Sequence, residues 1–367
     1  MLTSGIRTLR FLRSWLTGRD DVRARELILD RGGTPVPATL LTPAAATHPL
    51  PSWVVLHGIT RPGRGHRQLV RFTRALAEGG VAVLVPEVPE WRELDLAPEL
   101  TLPSIRASLD ALEGLGARIS PSPPGLLGFS FGAPQAVMAA AHPDLKGRLA
   151  GVVGFGGYFD LERTIVFQFT GTHEYEGELH HLRPDPYGRW IVGANYLTAV
   201  PGYEDAGAVA EGLRRLAAMA GDVGVVAWDS RFDPVKEEIR GTLPSPHRPL
   251  FDLFAPPSDR EPEPGPAEAL AHLLASAARK VDPSIEPGPA LRGATGPIHL
   301  LHGRRDHLIP FTEMLRLRNA LPPESLARST VTSLFGHSSQ DPLPGWSESV
   351  REGVAFVAAL SGILGVA

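Results

Sequence analysis

Short apolar segments alternate with segments of helical periodicity over the first 160 residues of the chain. A wholly apolar run such as 81–85 is typical of a strand that is covered on both faces of a sheet. Apolar residues that recur every three or four positions, as in 66–77, are typical of an amphipathic helix. Strands are predicted at 22–29, 38–41, 53–56, 81–85, 125–128 and 149–155, and helices at 66–77, 102–115 and 131–141. This alternation predicts βαβ units and a mostly parallel sheet.

The alternation stops after residue 160 and resumes near residue 298. Between these points the best helix candidates are 187–197, 207–220 and 267–281, separated by proline-rich connections. The later pattern predicts a strand at 298–301, a helix at 311–320, a strand at 329–334 and a helix at 346–360. We therefore expect one α/β domain, formed by 21–160 and 291–367, with a mainly helical insertion at 161–290 after the sixth core strand.

Residues 1–20 predict an amphipathic helix of their own. Its apolar positions at helical spacing are Leu2, Ile6, Leu9, Leu12 and Leu16. We expect this helix to pack on the body of the protein, with contact to a membrane surface or to a second copy as the alternatives. Arg13 falls on the apolar side and argues against the membrane alternative.

Composition narrows the classes of function. The chain has 367 residues, of which 36 are Lys or Arg and 40 are Asp or Glu, so its formal net charge of −4 gives no electrostatic basis for binding nucleic acid. The absence of cysteine excludes disulfides, a cysteine nucleophile and thiolate metal sites. No apolar run reaches the roughly 18 residues that cross a membrane, and the N-terminus does not resemble a secretory signal. We therefore expect a cytoplasmic protein without a membrane span, and the sequence does not indicate its oligomeric state.

The strongest chemical signal is a G-x-S-x-G sequence, Gly128-Phe129-Ser130-Phe131-Gly132. It follows a predicted strand and precedes a predicted helix, which is the context that this motif requires. The two glycines let the chain turn sharply and leave the Ser130 hydroxyl above the edge of the sheet. A serine hydroxyl becomes a good nucleophile only when a base takes its proton and an acid orients that base.

Two downstream segments resemble the acid loop and the histidine loop of the α/β-hydrolase superfamily. In residues 298–310 an apolar strand ends at Gly303, Asp306 follows, and an apolar residue with a proline starts the next helix. Residues 334–338 resemble the loop that carries the catalytic histidine, which here is His337. The separation of 31 positions between Asp306 and His337 is enough for one helix and one strand, as the family's topology requires.

The resemblance implies an α/β-hydrolase fold and a catalytic triad of Ser130, Asp306 and His337, in the family's chain order. In the alternative interpretation, Asp306 caps the helix that begins near Pro310 and His337 is an ordinary loop residue. Asp160 is the rival acid, because some relatives take the acid from the strand that follows the nucleophile.

Residues 53–58 predict a strand that ends in His57-Gly58, which resembles the family's oxyanion loop. The resemblance implies that the backbone N–H groups of Ile59 and Phe131 bind the negative oxygen of the tetrahedral intermediate. We expect His57 itself to brace this loop rather than to act as a second base.

Insertions at this position commonly form a lid over the active site in the family, so we expect 161–290 to act as a lid. Its aromatic side chains could line a pocket for the substrate or form the insertion's own small core. They are Phe167, Phe169, Tyr175, Tyr187, Trp190, Tyr196 and Tyr203. The candidate substrate-binding residues are His57, Tyr158, Trp190 and Leu308.

A group of histidine and acidic residues lies early in the insertion. Its members are His173, Glu174, Glu178, His180 and His181. Their spacing is not that of an H-E-x-x-H metal site, and no cysteine assists. We interpret the group as a solvated loop without a metal.

Together these residues predict a cofactor-free serine hydrolase that acts on small-molecule carboxylic esters. The same triad also serves peptidases, thioesterases, lactonases and acyltransferases, and the fold does not choose between them. Relatives that attack haloalkanes or epoxides carry aspartate at the turn, so Ser130 argues against those reactions. A non-catalytic ligand-binding protein of the same fold is the remaining alternative, and the intact triad argues against it.

Overall fold

A central sheet organises the chain. The computed structural model describes residues 4–46, 49–333 and 346–366. The strands in these ranges are β1 (Val22–Arg31), β2 (Thr34–Pro43), β3 (Ser52–Leu56), β4 (Ala82–Pro86), β5 (Gly125–Phe129), β6 (Gly151–Phe155), β7 (Thr172–Tyr175), β8 (Glu178–His181), β9 (Ile298–Gly303) and β10 (Leu326–Thr332). Eight of them form one sheet in the order β1-β2-β4-β3-β5-β6-β9-β10, and β2 runs opposite to the other seven. The mostly parallel sheet expected from the sequence is confirmed.

Helices cover both faces of this sheet. In chain order they are α1 (Ser4–Thr17), α2 (Arg67–Glu78), α3 (Pro89–Arg92), α4 (Thr101–Glu113), α5 (Gly132–Ala139), α6 (Leu161–Thr170), α7 (Pro186–Tyr196), α8 (Gly207–Val223), α9 (Asp233–Thr242), α10 (Arg248–Phe254), α11 (Pro264–Val281), α12 (Phe311–Ala320) and α13 (Trp346–Leu364). Alternate strand residues such as Val55 and Val83 share a buried cluster with α1, α2 and α13. Their neighbours Val54 and Leu84 face a second cluster, formed with the other helices. Because both faces are covered, the central strands are apolar throughout.

The segment between β6 and β9, which we call the insertion, contains the helices α6 to α11 and the β7–β8 hairpin. The helices predicted there correspond to α7, α8 and α11, whereas α6, α9, α10 and the β7–β8 hairpin are not predicted. Buried aromatic side chains of the insertion, including Trp190, Phe232, Phe251 and Phe254, belong to the same cluster as α4 and α5. The insertion and the α/β part therefore share one continuous hydrophobic core.

The first helix packs on α2 and α13 through a different side from the one that its leucine spacing indicates. Phe11 is fully buried and contacts the Phe72 ring at a centroid distance of 5.4 Å. The Arg7 guanidinium donates to Leu364 O at 2.9 Å. Leu9 and Leu16, two of the predicted packing residues, are instead 68% and 74% exposed. The helix packs on the body of the protein, but the side that packs was mispredicted, because Phe11 repeats at helical spacing with the polar residues Arg7 and Ser14. Within the described ranges, no helix is both long and apolar enough to cross a bilayer.

Candidate active site

The G-x-S-x-G segment forms a sharp turn between β5 and α5. The Ser130 N–H donates to Phe155 O on the neighbouring strand at 2.8 Å. A Cβ atom at Gly128 would lie 1.9 Å from Gly132 O, and a Cβ atom at Gly132 would lie 2.8 Å from His57 O. Any side chain at either position would therefore displace the backbone, and the motif needs its two glycines for this reason.

Ser130 itself has a left-handed backbone conformation, with a φ of 53°. Such a conformation costs a residue with a side chain on the order of 1–3 kcal/mol and persists only where the surrounding structure enforces it. The hydrogen bond to Phe155 O and the close approach of Gly128 and Gly132 enforce it here. The result is a partly exposed serine at the carboxyl edge of the sheet.

The loop after β3 lies directly against this turn. A Cβ atom at Gly58 would lie 3.0 Å from Ser130 Cβ and 3.6 Å from Ser130 Oγ. Ile59 follows Gly58 on one side of the contact, and Phe131 follows Ser130 on the other. The two segments that meet at the Ser130 hydroxyl are thus the ones that carry the predicted oxyanion donors.

His57 is buried and fixes the orientation of this loop. Its Nδ1 lies 2.7 Å from Gly58 O, and its Nε2 lies 3.1 Å from Val88 N and 3.0 Å from Glu87 Oε1. Because Gly58 O can only accept, the His57 Nδ1 must carry a proton. Nε2 can then either accept from the Val88 N–H or donate to the Glu87 carboxylate. Because a peptide unit is planar and trans, holding Gly58 O also sets the direction of the Ile59 N–H.

Tyr187 binds the carbonyl group of Ile59. Its hydroxyl, on α7 of the insertion, donates to Ile59 O at 3.1 Å. Burial raises the pKa of Tyr187, so the hydroxyl keeps its proton at neutral pH. Sequence reasoning placed Tyr187 only among the aromatic residues of the insertion, because nothing local relates it to a residue 128 positions away.

Asp306 follows β9 and is 2% exposed. Its Oδ1 accepts from Leu308 N at 2.9 Å and from Ile309 N at 3.0 Å, and its Oδ2 lies 3.3 Å from His302 Nε2. The N-cap of α12 is Pro310, so the interpretation of Asp306 as the cap of that helix is wrong. The carboxylate is instead oriented by the turn that precedes the helix.

Asp160, the rival acid, caps α6. Its side chain accepts from Arg163 N at 3.0 Å. Its two oxygens lie 3.6 Å from Arg163 Nε and 3.6 Å from Arg279 Nη2. A helix terminus and two cations therefore satisfy this carboxylate, which favours Asp306 as the partner of a catalytic histidine.

His337 lies outside the described residues, so its role in the triad stays a prediction. Ser333, the last described residue before it, follows β10 beside β9. The Ser333 hydroxyl donates to Oε1 of the buried Glu352 at 3.0 Å. The chain thus leaves the sheet at the edge that also carries Ser130, next to the strand that precedes Asp306.

Known structures share this arrangement of strands and helices. A fungal esterase from Rhizomucor miehei superposes with a TM-score of 0.50 at 14% identity, over 98% of this chain and 90% of the esterase. The acylaminoacyl peptidase of Pyrococcus horikoshii gives a TM-score of 0.50 at 10% identity, over 93% of this chain but only 42% of the peptidase. The chain has the α/β-hydrolase fold. No protein-family model matches the sequence, and no curated protein matches it.

In this α/β-hydrolase fold one candidate substrate-binding residue, Tyr158, links the loop after β6 to the insertion, whereas another, Trp190, makes its hydrogen bond within the insertion. The Tyr158 hydroxyl, after β6, donates to Ile285 O at 2.7 Å. Trp190 is fully buried, and its Nε1 donates to Phe254 O at 2.9 Å. Contact of Tyr158, Trp190 or the buried His57 with a substrate stays a prediction.

The loop that carries Asp306 is also bound to the insertion. Leu308 O accepts from Gln168 Nε2 at 3.4 Å, and His307 O accepts from Asp185 N at 2.7 Å. His307 Nδ1 lies 2.6 Å from Arg183 O. Three contacts therefore join the acid loop of the α/β-hydrolase fold to residues 168–185, while contact of Leu308 with a substrate stays a prediction.

The histidine-rich segment forms the β7–β8 hairpin rather than the solvated loop that the sequence indicates. His173 is buried, stacks on His180 at 5.0 Å between ring centroids, and lies with Nδ1 3.1 Å from Thr312 Oγ1. Burial lowers the pKa of His173 to about 4, so this ring is neutral at neutral pH. Among the described residues, no three metal-ligating side chains come together.

Helix α12 carries a buried carboxylate that sequence reasoning missed. Glu313 is 1% exposed, and its Oε2 accepts from Phe159 N at 3.2 Å and from Asp160 N at 2.7 Å. Burial raises the pKa of Glu313 to about 7. The residue fixes the loop after β6 in the α/β-hydrolase fold, and a single glutamate in a helix gives no sequence signal of that role.

Glu313 should make the folded protein less stable as pH rises. In the unfolded chain its pKa is 4.5 and in the folded chain it is about 7, so its contribution falls as pH rises between these values. Glu313→Gln keeps an acceptor oxygen for the two amides but cannot ionise. We predict that this variant matches the wild type in thermal unfolding at about pH 4 and unfolds at a higher temperature than the wild type at about pH 8.

The exposed Glu268 on α11 supplies the control. Glu268→Gln should leave the unfolding temperature unchanged at both pH values, because the side chain is exposed and contributes no buried contact. A lower unfolding temperature of Glu313→Gln at about pH 8 would show that the ionised carboxylate stabilises the fold, contrary to this assignment.

Proposed function

We propose that this chain is a serine hydrolase that cleaves carboxylic esters. The observation that carries the proposal is the strained Ser130 at the turn between β5 and α5, in contact with the loop that holds Ile59. Solved structures with the same fold include an esterase and a peptidase. Attack on an acyl carbon is the reaction that a serine in such a turn performs.

In the proposed reaction, Ser130 Oγ attacks the carbonyl carbon of the ester while His337 takes the hydroxyl proton. The tetrahedral intermediate collapses and expels the alcohol, which leaves with the proton from His337. Water then attacks the acyl-serine, again with His337 as the base, and the carboxylic acid is released with Ser130 restored. Asp306 orients the imidazole and stabilises its charged form.

The negative oxygen of the intermediate would be bound by the amides of Ile59 and Phe131. One donor of this kind contributes about 3–4 kcal/mol to lowering the barrier, provided that it is already oriented before the reaction. His57 and Tyr187 support the proposal because they hold the carbonyl oxygens on either side of the Ile59 amide.

Residues 161–290 act, in this proposal, as a lid that remains in contact with the catalytic loops. The support is the hydrogen bond from Tyr187 to the oxyanion loop and the bond from Gln168 to the acid loop. The preference for acyl size would depend on the apolar side chains that the insertion presents to Ser130.

Removal of the nucleophile is the first test of the proposal. The wild type should hydrolyse p-nitrophenyl esters of at least one acyl length and be labelled by a fluorophosphonate. Ser130→Ala should lose labelling, and kcat should fall by at least about a thousandfold, because the attacking atom is gone. Release of p-nitrophenol and in-gel fluorescence measure the two outcomes.

A peptide anilide and a thioester, assayed in parallel, separate the alternatives. Labelling with turnover of the anilide only would favour a peptidase over an esterase. A folded wild type that is neither labelled nor active would refute the role of Ser130 and leave the non-catalytic ligand-binding protein.

The choice of acid is tested by two matched amide substitutions. Asp306→Asn should lower kcat by about 10⁴-fold, because an amide does not stabilise the charged imidazole. Asp160→Asn should retain most activity, since asparagine also caps helices. If Asp160→Asn is the more damaging change in ester hydrolysis, Asp160 rather than Asp306 is the acid.

The hydrogen bond from Tyr187 to the proposed oxyanion loop is tested by removing the Tyr187 hydroxyl. Tyr187→Phe should lower kcat roughly five- to tenfold with little change in KM, because one hydrogen bond that orients the Ile59 amide is lost. Tyr175→Phe removes a hydroxyl from the β7–β8 hairpin of the same insertion and should leave kcat unchanged. Equal effects of the two substitutions would show that Tyr187 contributes only to the stability of the insertion.

A further inference from the structure

The outer surface of α1 and α2 carries a concentration of exposed apolar side chains. Eleven large apolar residues of the described chain are exposed, and four of them lie on these two helices. They are Ile6, Leu9 and Leu16 on α1, at 43%, 68% and 74% exposure, and Val70 on α2, at 37%. Single exposed leucines are ordinary, but a group of this kind on one surface indicates a contact with another apolar phase.

The group forms one continuous strip. Ile6, Leu9, Arg13 and Leu16 follow one another at intervals of three and four residues, which places them along one side of α1. Leu16 and Val70 border the same groove between the two helices. The packing side of α1, around Phe11, faces away from this strip, so none of these apolar side chains is needed for the core.

Cations surround the strip. Arg10 and Arg13 on α1 and Arg67 and Arg71 on α2 are exposed. Helix α1 contains no acidic residue, and the acidic residue of α2, Glu78, is its last. The whole chain has a formal net charge of −4, so the positive charge is a property of this surface and not of the chain as a whole. We refer to Ile6, Leu9, Leu16, Val70 and these four arginines as the α1–α2 surface.

We propose that the α1–α2 surface docks on the headgroup layer of an anionic lipid membrane. The apolar side chains would enter the interface between headgroups and acyl chains, while the arginines contact lipid phosphates. Arg13, which lies within the apolar strip, can reach a phosphate because its long aliphatic stem extends past the neighbouring leucines. Trp15 lies at the edge of the same surface, where the Arg71 guanidinium carbon stands 4.7 Å from the centroid of the indole ring.

Charge favours a membrane over a second copy of the chain. A symmetric dimer through this surface would bring the same four arginines against themselves, and like charges across an interface are unfavourable. An anionic lipid layer neutralises all four at once.

Vesicle sedimentation tests the proposal with the full chain. The protein should sediment with vesicles of phosphatidylcholine and phosphatidylglycerol, but not with phosphatidylcholine alone. Leu9→Ser combined with Leu16→Ser should lower the partition coefficient about a hundredfold, since each buried leucine contributes about tenfold. Arg10→Gln combined with Arg13→Gln should lower it roughly 25-fold and weaken its dependence on salt, since each arginine contributes about fivefold.

The control is a pair of leucines exposed elsewhere, Leu179 at 62% and Leu273 at 44%. Leu179→Ser with Leu273→Ser should leave vesicle binding unchanged, and circular dichroism verifies that each variant is folded. The proposal is overturned if the wild type does not sediment with anionic vesicles, or if both leucine pairs lower binding equally. A dimer in light scattering that is lost only in the Leu9/Leu16 variant, without vesicle binding, would assign the surface to self-association instead.

Discussion

The close approach of two backbones at the carboxyl edge of the sheet is the constraint on which the site depends. The turn after β5 and the loop after β3 touch with no room for a side chain at Gly132, and the turn's own backbone leaves no room for one at Gly128. This contact forces Ser130 into its left-handed conformation and sets the Gly58–Ile59 peptide beside its hydroxyl. Such a site is stable only if the strands that precede the two segments, β3 and β5, are fixed by packing against the rest of the fold.

The support comes from two clusters of apolar side chains, one on each face of the sheet. The strand residues alternate between them, so β3 and β5 are held by packing in both directions. A local cost on the order of 1–3 kcal/mol at Ser130 is small against the burial of the many side chains in these clusters. The strained turn is therefore stable because it connects β5 and α5, and both are fixed by their packing in these clusters.

The sequence predicted those parts of the structure that depend on local pattern. Wholly apolar strands, helical periodicity and the glycines around Ser130 are visible within a few neighbouring residues, and they were enough for the fold. The packing side of α1 was mispredicted, because spacing alone does not show whether Leu9 or Phe11 faces the core.

The parts of the site that the sequence did not predict depend on contacts between distant segments. Tyr187 and Glu313 act on backbone groups more than 100 positions away, and no periodicity records such pairings. The β7–β8 hairpin around His173 was likewise missed. Its position depends on the contact of the His173 ring with Thr312 of α12, which the spacing of the histidines in the sequence does not indicate. Long-range polar contacts were thus the main source of error, both in the insertion and around the candidate site.

Under the proposed function, the attachment of the insertion has a consequence for how a substrate would reach Ser130. If α7 swung away as a rigid body, the Tyr187 bond to Ile59 would break, and the bonds of His307 O with Asp185 N and of His307 Nδ1 with Arg183 O would be strained with it. Such a movement would dismantle the loops that we propose to carry the oxyanion donors and the acid, while opening a path to them. Entry and exit are therefore expected to occur through local displacement of side chains or short helices, with α7 remaining docked, and product release would proceed at the rate of those small movements.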